Sequence, residues 1–538
     1  MSEDRPPRGE PFRDLCPRAR TAGALIDELA ARHPLRPALR TAATKFDFAG
    51  LRQRVRATAK DLVALGLKPG EKLAILMGNR AEWLLLSFAA QMIGAVAVGI
   101  NTWSTARELD YVLAHCEASL LVTARRFLKS DFVLLLESLG PWRERFPALR
   151  RIIVVDGKPG EGMTPFADFT GAGRGIADRA LGALEAAVKP EDAALLLYTS
   201  GSTSLPKGVL LAHRGLIENM WEIGCRLHME PDDRVWVAVS LFWGLGCVNA
   251  LFAAFTHAAA IVLQESFEAG AALSLIAREG CTLLYGTPNM LAALMDHPER
   301  GLYDLRAVKK CATIGSPDQM RRAIVELAPL TCQIYGLTEA YGNSAVTDAN
   351  DALEARATTV GFPLPGQSIR IVDPESGRAL PQRGTGEIRV KGQTMIGYHR
   401  DPQRSAEAFD EEGWLKTGDL GFFGADGRLR FRGRIKEMVK SGGINIAPAE
   451  VEEVLQAHPE VKEAYVIGLK DPVRDEIVAA VIIARPGSDP SAEALAAHCR
   501  KALAAYKIPR QWRFVAETAL PLTVTGKLQK NRLHELFG

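Results

Sequence analysis

The sequence predicts an α/β protein with a large N-terminal domain of mostly parallel sheets and helices, a small β subdomain, and a small α+β C-terminal domain. Three observations carry this. From Thr21 to about residue 285, helix-period segments alternate with short apolar ones, the pattern of βαβ units. Near residue 360, Gly361, Pro363, Pro365, Gly366, Pro374 and Gly377 begin to break the chain into short strands. Beyond Arg434 a compact run of strands and helices resumes. A chain of 538 residues is also too long for one ordinary core.

Residues 1–20 are rich in arginine and proline, lack the apolar centre of a signal peptide, and are expected to form a loose leader. Ala24–Ala30 and Leu51–Leu65 have helical period, Lys72–Met77 reads as a strand, and Ala81–Ile93 returns to helix. Ala95–Ile100 is a strand, Thr105–His115 a helix, and Leu120–Val122 and Arg151–Val155 are strands. The alternation continues through Val235–Val239, Ala259–Leu263 and Leu283–Leu284. Ile369–Val372 and Gly386–Val390 are strands of the β subdomain, assigned to 360–434 within an N-terminal domain of 21–434. Ala425-Asp426-Gly427 reads as a hairpin turn. The C-terminal domain, 435–538, opens with a helix from Pro448, apt for a first helical position, that buries Val451, Val454 and Leu455. Strands Ala464–Gly468 and Val478–Ala484 and a helix over Ser491–Leu503 follow.

The bulk numbers exclude several classes. A net charge of +3 points to neither nucleic acid nor a membrane surface. Eight scattered cysteines without a C-x-x-C pair suggest reduced thiols and a cytoplasmic location. Leu84–Ile100 and Leu245–Leu263 are apolar enough to resemble membrane spans. Polar interruptions such as Gln91, Asn249 and His257 favour a buried helix followed by a buried strand in each case.

The chemistry begins at Thr199-Ser200-Gly201-Ser202-Thr203-Ser204-Leu205-Pro206-Lys207-Gly208, between the apolar runs Ala193–Leu197 and Val209–Leu211. Small residues let backbone N–H groups approach phosphate oxygens, hydroxyls add donors, and the lysine adds a point charge. It is not a Walker A loop, because Lys207 precedes its glycine. On composition alone a Ser/Gly-rich surface turn fits equally well. Four further stretches accompany it: Ile334-Tyr335-Gly336-Leu337-Thr338-Glu339, Trp414-Leu415-Lys416-Thr417-Gly418-Asp419, Gly433-Arg434-Ile435-Lys436-Glu437 with Lys440-Ser441-Gly442-Gly443, and Pro521-Leu522-Thr523-Val524-Thr525-Gly526-Lys527.

In this order, the five stretches resemble the adenylate-forming superfamily, on its acyl-CoA synthetase branch, and the resemblance runs from about Thr21 onwards. It implies an ATP-dependent carboxylate–CoA ligase that makes an acyl-adenylate and pyrophosphate, then an acyl-CoA thioester and AMP. Thr199, Ser200, Gly201, Ser202, Thr203 and Lys207 would hold the β- and γ-phosphates. Tyr335, beside Gly336, would stack on adenine, Thr338 would bond the α-phosphate, and Glu339 would hold Mg²⁺. Asp419 and Arg434 would reach the ribose, and Gly315, Ser316 and Pro317 would wall the acyl and adenine pockets. Phe242, Trp243 and Ile334 would face the acyl group. Lys527 would be catalytic with Thr338 and Glu339, bringing carboxylate and α-phosphate together. The C-terminal domain would be mobile, pivoting on Lys436 in the hinge 435–437, and Lys440, Gly442 and Gly443 would border the coenzyme A tunnel.

Three positions depart from the family's usual pattern. Ser204 replaces a glycine, and Trp243 stands where relatives often carry a histidine and cannot act as a base. Leu522 replaces a basic residue, which weakens the case for control of Lys527 by acetylation, a change that removes its charge. No acid occurs in Leu241–Leu251 to pair an amino acid's ammonium, so a neutral acyl group is favoured. With Met290, the aromatic pair suggests an aromatic, alicyclic or medium-chain acid. The expected partners are that acid, ATP and coenzyme A, with no nucleic acid and no membrane span, in a monomer or homodimer. Alternatives are an enzyme loading a carrier protein's pantetheine arm, a luciferase-like oxygenase, and a non-catalytic nucleotide- or acyl-binding protein.

Overall fold

The computed structural model describes residues 16–199, 206–441, 444–471, 475–522 and 528–538. The chain packs into two compact units. One holds the residues up to Ile369 together with Val390–Leu415, and the other holds Arg370–Arg389 and the residues from Lys416 onwards. The expected boundary at 434/435 falls inside the second unit. The helix Pro448–Gln456 packs on the strand Leu429–Arg434, and an Arg432–Glu453 ion pair reinforces that contact.

The first unit contains two large sheets. The eight-stranded sheet runs in the order Gly397–Tyr398, Lys207–Ala212, Ala193–Thr199, Val96–Gly99, Lys72–Leu76, Ala118–Thr123, Arg151–Val154, Thr164–Pro165. The nine-stranded sheet has a parallel centre: Leu330–Tyr335, Lys310–Thr313, Leu283–Tyr285, Arg234–Val237, Ala260–Leu263 and Pro37–Arg40 are successive parallel neighbours. This is the mostly parallel α/β architecture expected. Both ambiguous apolar stretches resolve as helix then strand: Ala81–Met92 precedes Val96–Gly99, and the helical run from Leu245 to Thr256 precedes Ala260–Leu263. Among the described residues no helix is long and apolar enough to cross a membrane.

Helix boundaries follow capping chemistry. Thr105 accepts from the Glu108 N–H while the Glu108 carboxylate accepts from the Thr105 N–H, which starts Ala106–Cys116. Helices packed on the two sheets share a core. Phe88 of Ala81–Met92 meets Phe252 and Phe255 of Leu251–Thr256 at ring separations of 5.4 and 5.6 Å, and all three are fully buried. Burial of each such side chain stabilises the unit by about 1.5–3 kcal/mol.

The second unit holds most of a four-stranded sheet, Ser368–Val372, Gly386–Lys391, Leu415–Phe423 and Leu429–Arg434. The expected hairpin turns at Ala425-Asp426-Gly427, where Gly427 has φ 72°. A five-stranded sheet centred on Val461–Asp471 and Asp475–Ala484 carries the C-terminal core. There Val451 and Leu455 of the helix Pro448–Gln456 meet Val466, Val478, Ile482 and Leu495.

Candidate active site

Parallel strands align their carboxyl ends, and in open α/β sheets ligands bind at that edge. Four adjacent strands of the nine-stranded sheet deliver the predicted residues there. Arg234–Val237 leads to Phe242 and Trp243, Leu283–Tyr285 to Met290, Lys310–Thr313 to Gly315–Pro317, and Leu330–Tyr335 to Gly336–Glu339. Each exit is shaped locally. Ser316 caps the helix Pro317–Glu326 in a reciprocal capping box with Gln319, and Pro317 takes the first helical position. Gln333 Nε2 donates to the Gly315 carbonyl at 3.0 Å, tying two of the strand ends together.

After Tyr335 the chain must fold back at once. A Cβ on Gly336 would lie 2.4 Å from the Gly342 carbonyl oxygen, so only glycine admits the turn. Thr338–Ala340 form one 3₁₀ turn, and Tyr341 closes it in the left-handed conformation, φ 57°. The Tyr341 hydroxyl accepts from the Ala212 N–H at 2.9 Å and donates to the Ala212 carbonyl at 3.2 Å. Buried Asn249 donates to the Tyr341 carbonyl at 2.8 Å from a π-helical turn, Leu245–Ala250, that starts just after Trp243. Such turns are frequent at functional sites. Tyr335 is 6% exposed, and Thr338 and Glu339 are half-buried.

The phosphate-loop hairpin is built on the other sheet. Ala193–Thr199 and Lys207–Ala212 pair antiparallel, and their last pair sets Thr199 opposite Lys207. Tyr398 pairs with Val209 on the next strand. Its hydroxyl donates to Glu339 Oε1 at 2.8 Å, and Lys207 Nζ lies 5.0 Å from its ring centroid. The Met395 N–H also donates to the Glu339 carbonyl, at 2.7 Å. Lys207 and Glu339, 132 positions apart in the sequence, therefore meet across one tyrosine that the sequence analysis did not name. Burial first, then the Glu339 carboxylate, push the Tyr398 pKa above its ordinary value, so its hydroxyl stays protonated and remains a donor.

A second residue that sequence reasoning missed is Trp103. Its ring sits 5.0 Å from Phe242 and 5.3 Å from Trp243, completing a cluster of three aromatic rings. Phe242 is 4% exposed and Ile334 5%, whereas Trp243 and Trp103 are half-buried. Gly99 makes room for this packing, since a Cβ there would lie 2.9 Å from the Phe242 Cα.

In the second unit Asp419 and Arg434 are cross-strand partners, with Nε 3.2 Å from Oδ1. Asp419 is 3% exposed, and its N–H donates to Thr417 Oγ1 at 3.0 Å. Gly418 turns the chain at φ 69° and donates to Glu387 Oε1 at 3.2 Å. Lys436 is exposed in the 3₁₀ turn Ile435–Glu437. Ser200, Gly201, Ser202, Thr203, Ser204, Gly442, Gly443 and Lys527 lie outside the described residues, as does the side chain of Lys440.

The fold and the five stretches define an adenylate-forming enzyme, and comparison with known proteins places the chain in its family. Residues 26–399 match the AMP-binding enzyme family and residues 450–527 its C-terminal domain, so the chain belongs to the AMP-binding enzymes. Within that family it lies on the acyl-CoA synthetase branch and is an acid–thiol ligase. It is 34% identical over 522 residues to a 7a-methyl-1,5-dioxo-octahydro-1H-inden-4-yl propanoyl:CoA ligase of Mycobacterium tuberculosis (strain ATCC 25618 / H37Rv), across 96% of this chain and 99% of that protein. It is 32% identical over 541 residues to the mitochondrial medium-chain acyl-CoA ligase ACSF2 of Mus musculus, across 96% of this chain and 87% of that protein. The crystal structure of the anthranilate CoA ligase AuaEII in complex with anthranoyl-AMP matches with a TM-score of 0.82 at 28% identity, over 96% of both chains.

Proposed function

We propose that the protein joins an aromatic, alicyclic or medium-chain carboxylic acid to coenzyme A, consuming ATP and releasing AMP and pyrophosphate. The observation that carries the choice of acid is the ring cluster of Trp103, which follows the strand Val96–Gly99, with Phe242 and Trp243, which follow the strand Arg234–Val237. Such a wall favours apolar acyl groups. The three relatives support the same range, since their names specify an alicyclic propanoyl, a medium-chain and an anthranilate substrate. The eight cysteines, none of them in a disulfide among the described residues, support a reducing, cytoplasmic setting.

In the first half-reaction the acid's carboxylate attacks the α-phosphate and pyrophosphate leaves. Thr199 to Lys207 hold the β- and γ-phosphates, and Thr338 donates to the α-phosphate. Tyr335 stacks on adenine, while Asp419 and Arg434 hold the ribose. Lys527 contacts both reacting anions and offsets their repulsion. Glu339 would hold a magnesium ion, because a carboxylate steadied by Tyr398 is an oxygen donor of the required hardness. When bound, such an ion neutralises phosphate charge. In the second half-reaction the C-terminal residues pivot at Lys436, Lys440, Gly442 and Gly443 border the pantetheine path, and the coenzyme A thiol displaces AMP.

Pyrophosphate exchange across a panel of carboxylic acids tests the acid class. Trp243→Ala should raise KM for benzoate-sized and eight-carbon acids by about tenfold, the cost of one lost apolar contact surface, with KM for ATP unchanged. A panel in which acetate or amino acids are used best would refute the assignment.

A further inference from the structure

We propose that Tyr398 is a positioning residue that fixes Glu339 and Lys207 relative to one another, so that one side chain aligns both the metal-binding and the phosphate-binding ends of the leaving group. This rests on the roles assigned above to Glu339 and Lys207. The geometry is specific. The hydroxyl holds one carboxylate oxygen of Glu339 at 2.8 Å, and the ring face lies 5.0 Å from Lys207 Nζ. A carboxylate with one oxygen pinned by a donor presents the other in a fixed direction, and such partners commonly change metal affinity by about 10- to 100-fold. The aromatic face attracts the lysine ammonium and limits where it can point.

The backbone carrying Tyr398 is itself held on both sides. It pairs with Val209, the His399 N–H donates to the Gly208 carbonyl at 2.7 Å, and the Tyr398 N–H donates to Ser405 Oγ at 2.8 Å. Ser405 in turn donates to the Asp401 carbonyl at 2.6 Å. The strand therefore presents the tyrosine at a set height beside Lys207, two residues from its pairing partner Val209.

Two substitutions separate the two contacts. Tyr398→Phe keeps the ring under Lys207 and removes only the hydroxyl. Tyr398→Leu removes both. The measurement is equilibrium ATP binding by calorimetry in magnesium-free buffer and at a series of magnesium concentrations, with thermal unfolding as a check on folding. Tyr398→Phe should raise the magnesium concentration for half-maximal enhancement of ATP binding about tenfold and leave magnesium-free ATP binding unchanged. Tyr398→Leu should add a loss of magnesium-free binding. An unshifted magnesium midpoint in Tyr398→Phe overturns the positioning role. Glu339→Gln separates the two levels of the argument. If it shifts the midpoint while Tyr398→Phe does not, the tyrosine's role alone fails. If it too leaves the midpoint unchanged, the metal role of Glu339 fails, and the inference fails with it.

Discussion

Lys527→Ala is expected to lower the rate of acyl-adenylate formation by on the order of 10³, the scale for removing one preorganised charge from a transition state. The same variant should convert supplied acyl-adenylate to thioester at the wild-type rate. The asymmetry follows from the chemistry. Carboxylate and α-phosphate are both anionic, so their approach needs a cation, whereas a thiol that attacks the carbonyl carbon of the mixed anhydride forms the C–S bond, loses its proton and expels AMP as an anion without driving a nucleophilic anion onto phosphorus. Substitution by arginine should not restore the rate, because a planar fork cannot replace a point charge placed between two oxygens. Stopped-flow pyrophosphate release reads the first half, and thioester formation from synthetic acyl-adenylate reads the second. Equal losses in both halves would show that Lys527 serves the fold or nucleotide binding in general.

The second large effect is expected at the hinge. Lys436→Pro should leave pyrophosphate exchange intact and slow thioester formation by about 10²-fold, the scale of a misplaced reacting group. Lys436 sits in an exposed 3₁₀ turn between the strand Leu429–Arg434 and the strand Val439–Ser441. Proline restricts φ there and hinders the large rotation that a pivot requires. The Arg432–Glu453 ion pair spans this turn, so a pivot at Lys436 must break it. That partly exposed ion pair is worth about 0–1 kcal/mol. An unchanged second-half rate in Lys436→Pro would move the pivot elsewhere.

Elements were legible wherever local rules decide them. The helices starting near Thr105 and at Pro448 and the hairpin turn at Ala425-Asp426-Gly427 all depend on neighbours within a few residues. The candidate site was readable as a proposal where it forms contiguous stretches, as at Tyr335–Glu339. It was not legible where geometry joins distant segments. Trp103 meets Trp243 across 140 positions, and Tyr398 meets Glu339 across 59. Both contacts depend on strand order and register, which no local pattern encodes. A weak signal did exist for Tyr398, an aromatic following Gly397 in a mostly polar stretch. The π-helical turn Leu245–Ala250 was hidden for another reason. Its residues are apolar apart from Asn249, so hydrophobic periodicity cannot tell one helical pitch from another. Asn249 was read as a polar interruption against a membrane span. Its structural use is to fasten Tyr341, and thereby the turn carrying Thr338 and Glu339.

The most direct test of the account supplies one aromatic, one alicyclic and one medium-chain acid with ATP, with and without coenzyme A, and follows AMP, acyl-adenylate and thioester together. The account predicts a slow, enzyme-bound adenylate without coenzyme A, and steady release of acyl-CoA and AMP in equal amounts once it is added. Adenylate formation with no thioester transferred to free coenzyme A would contradict it and point instead to a carrier-bound pantetheine as the acceptor.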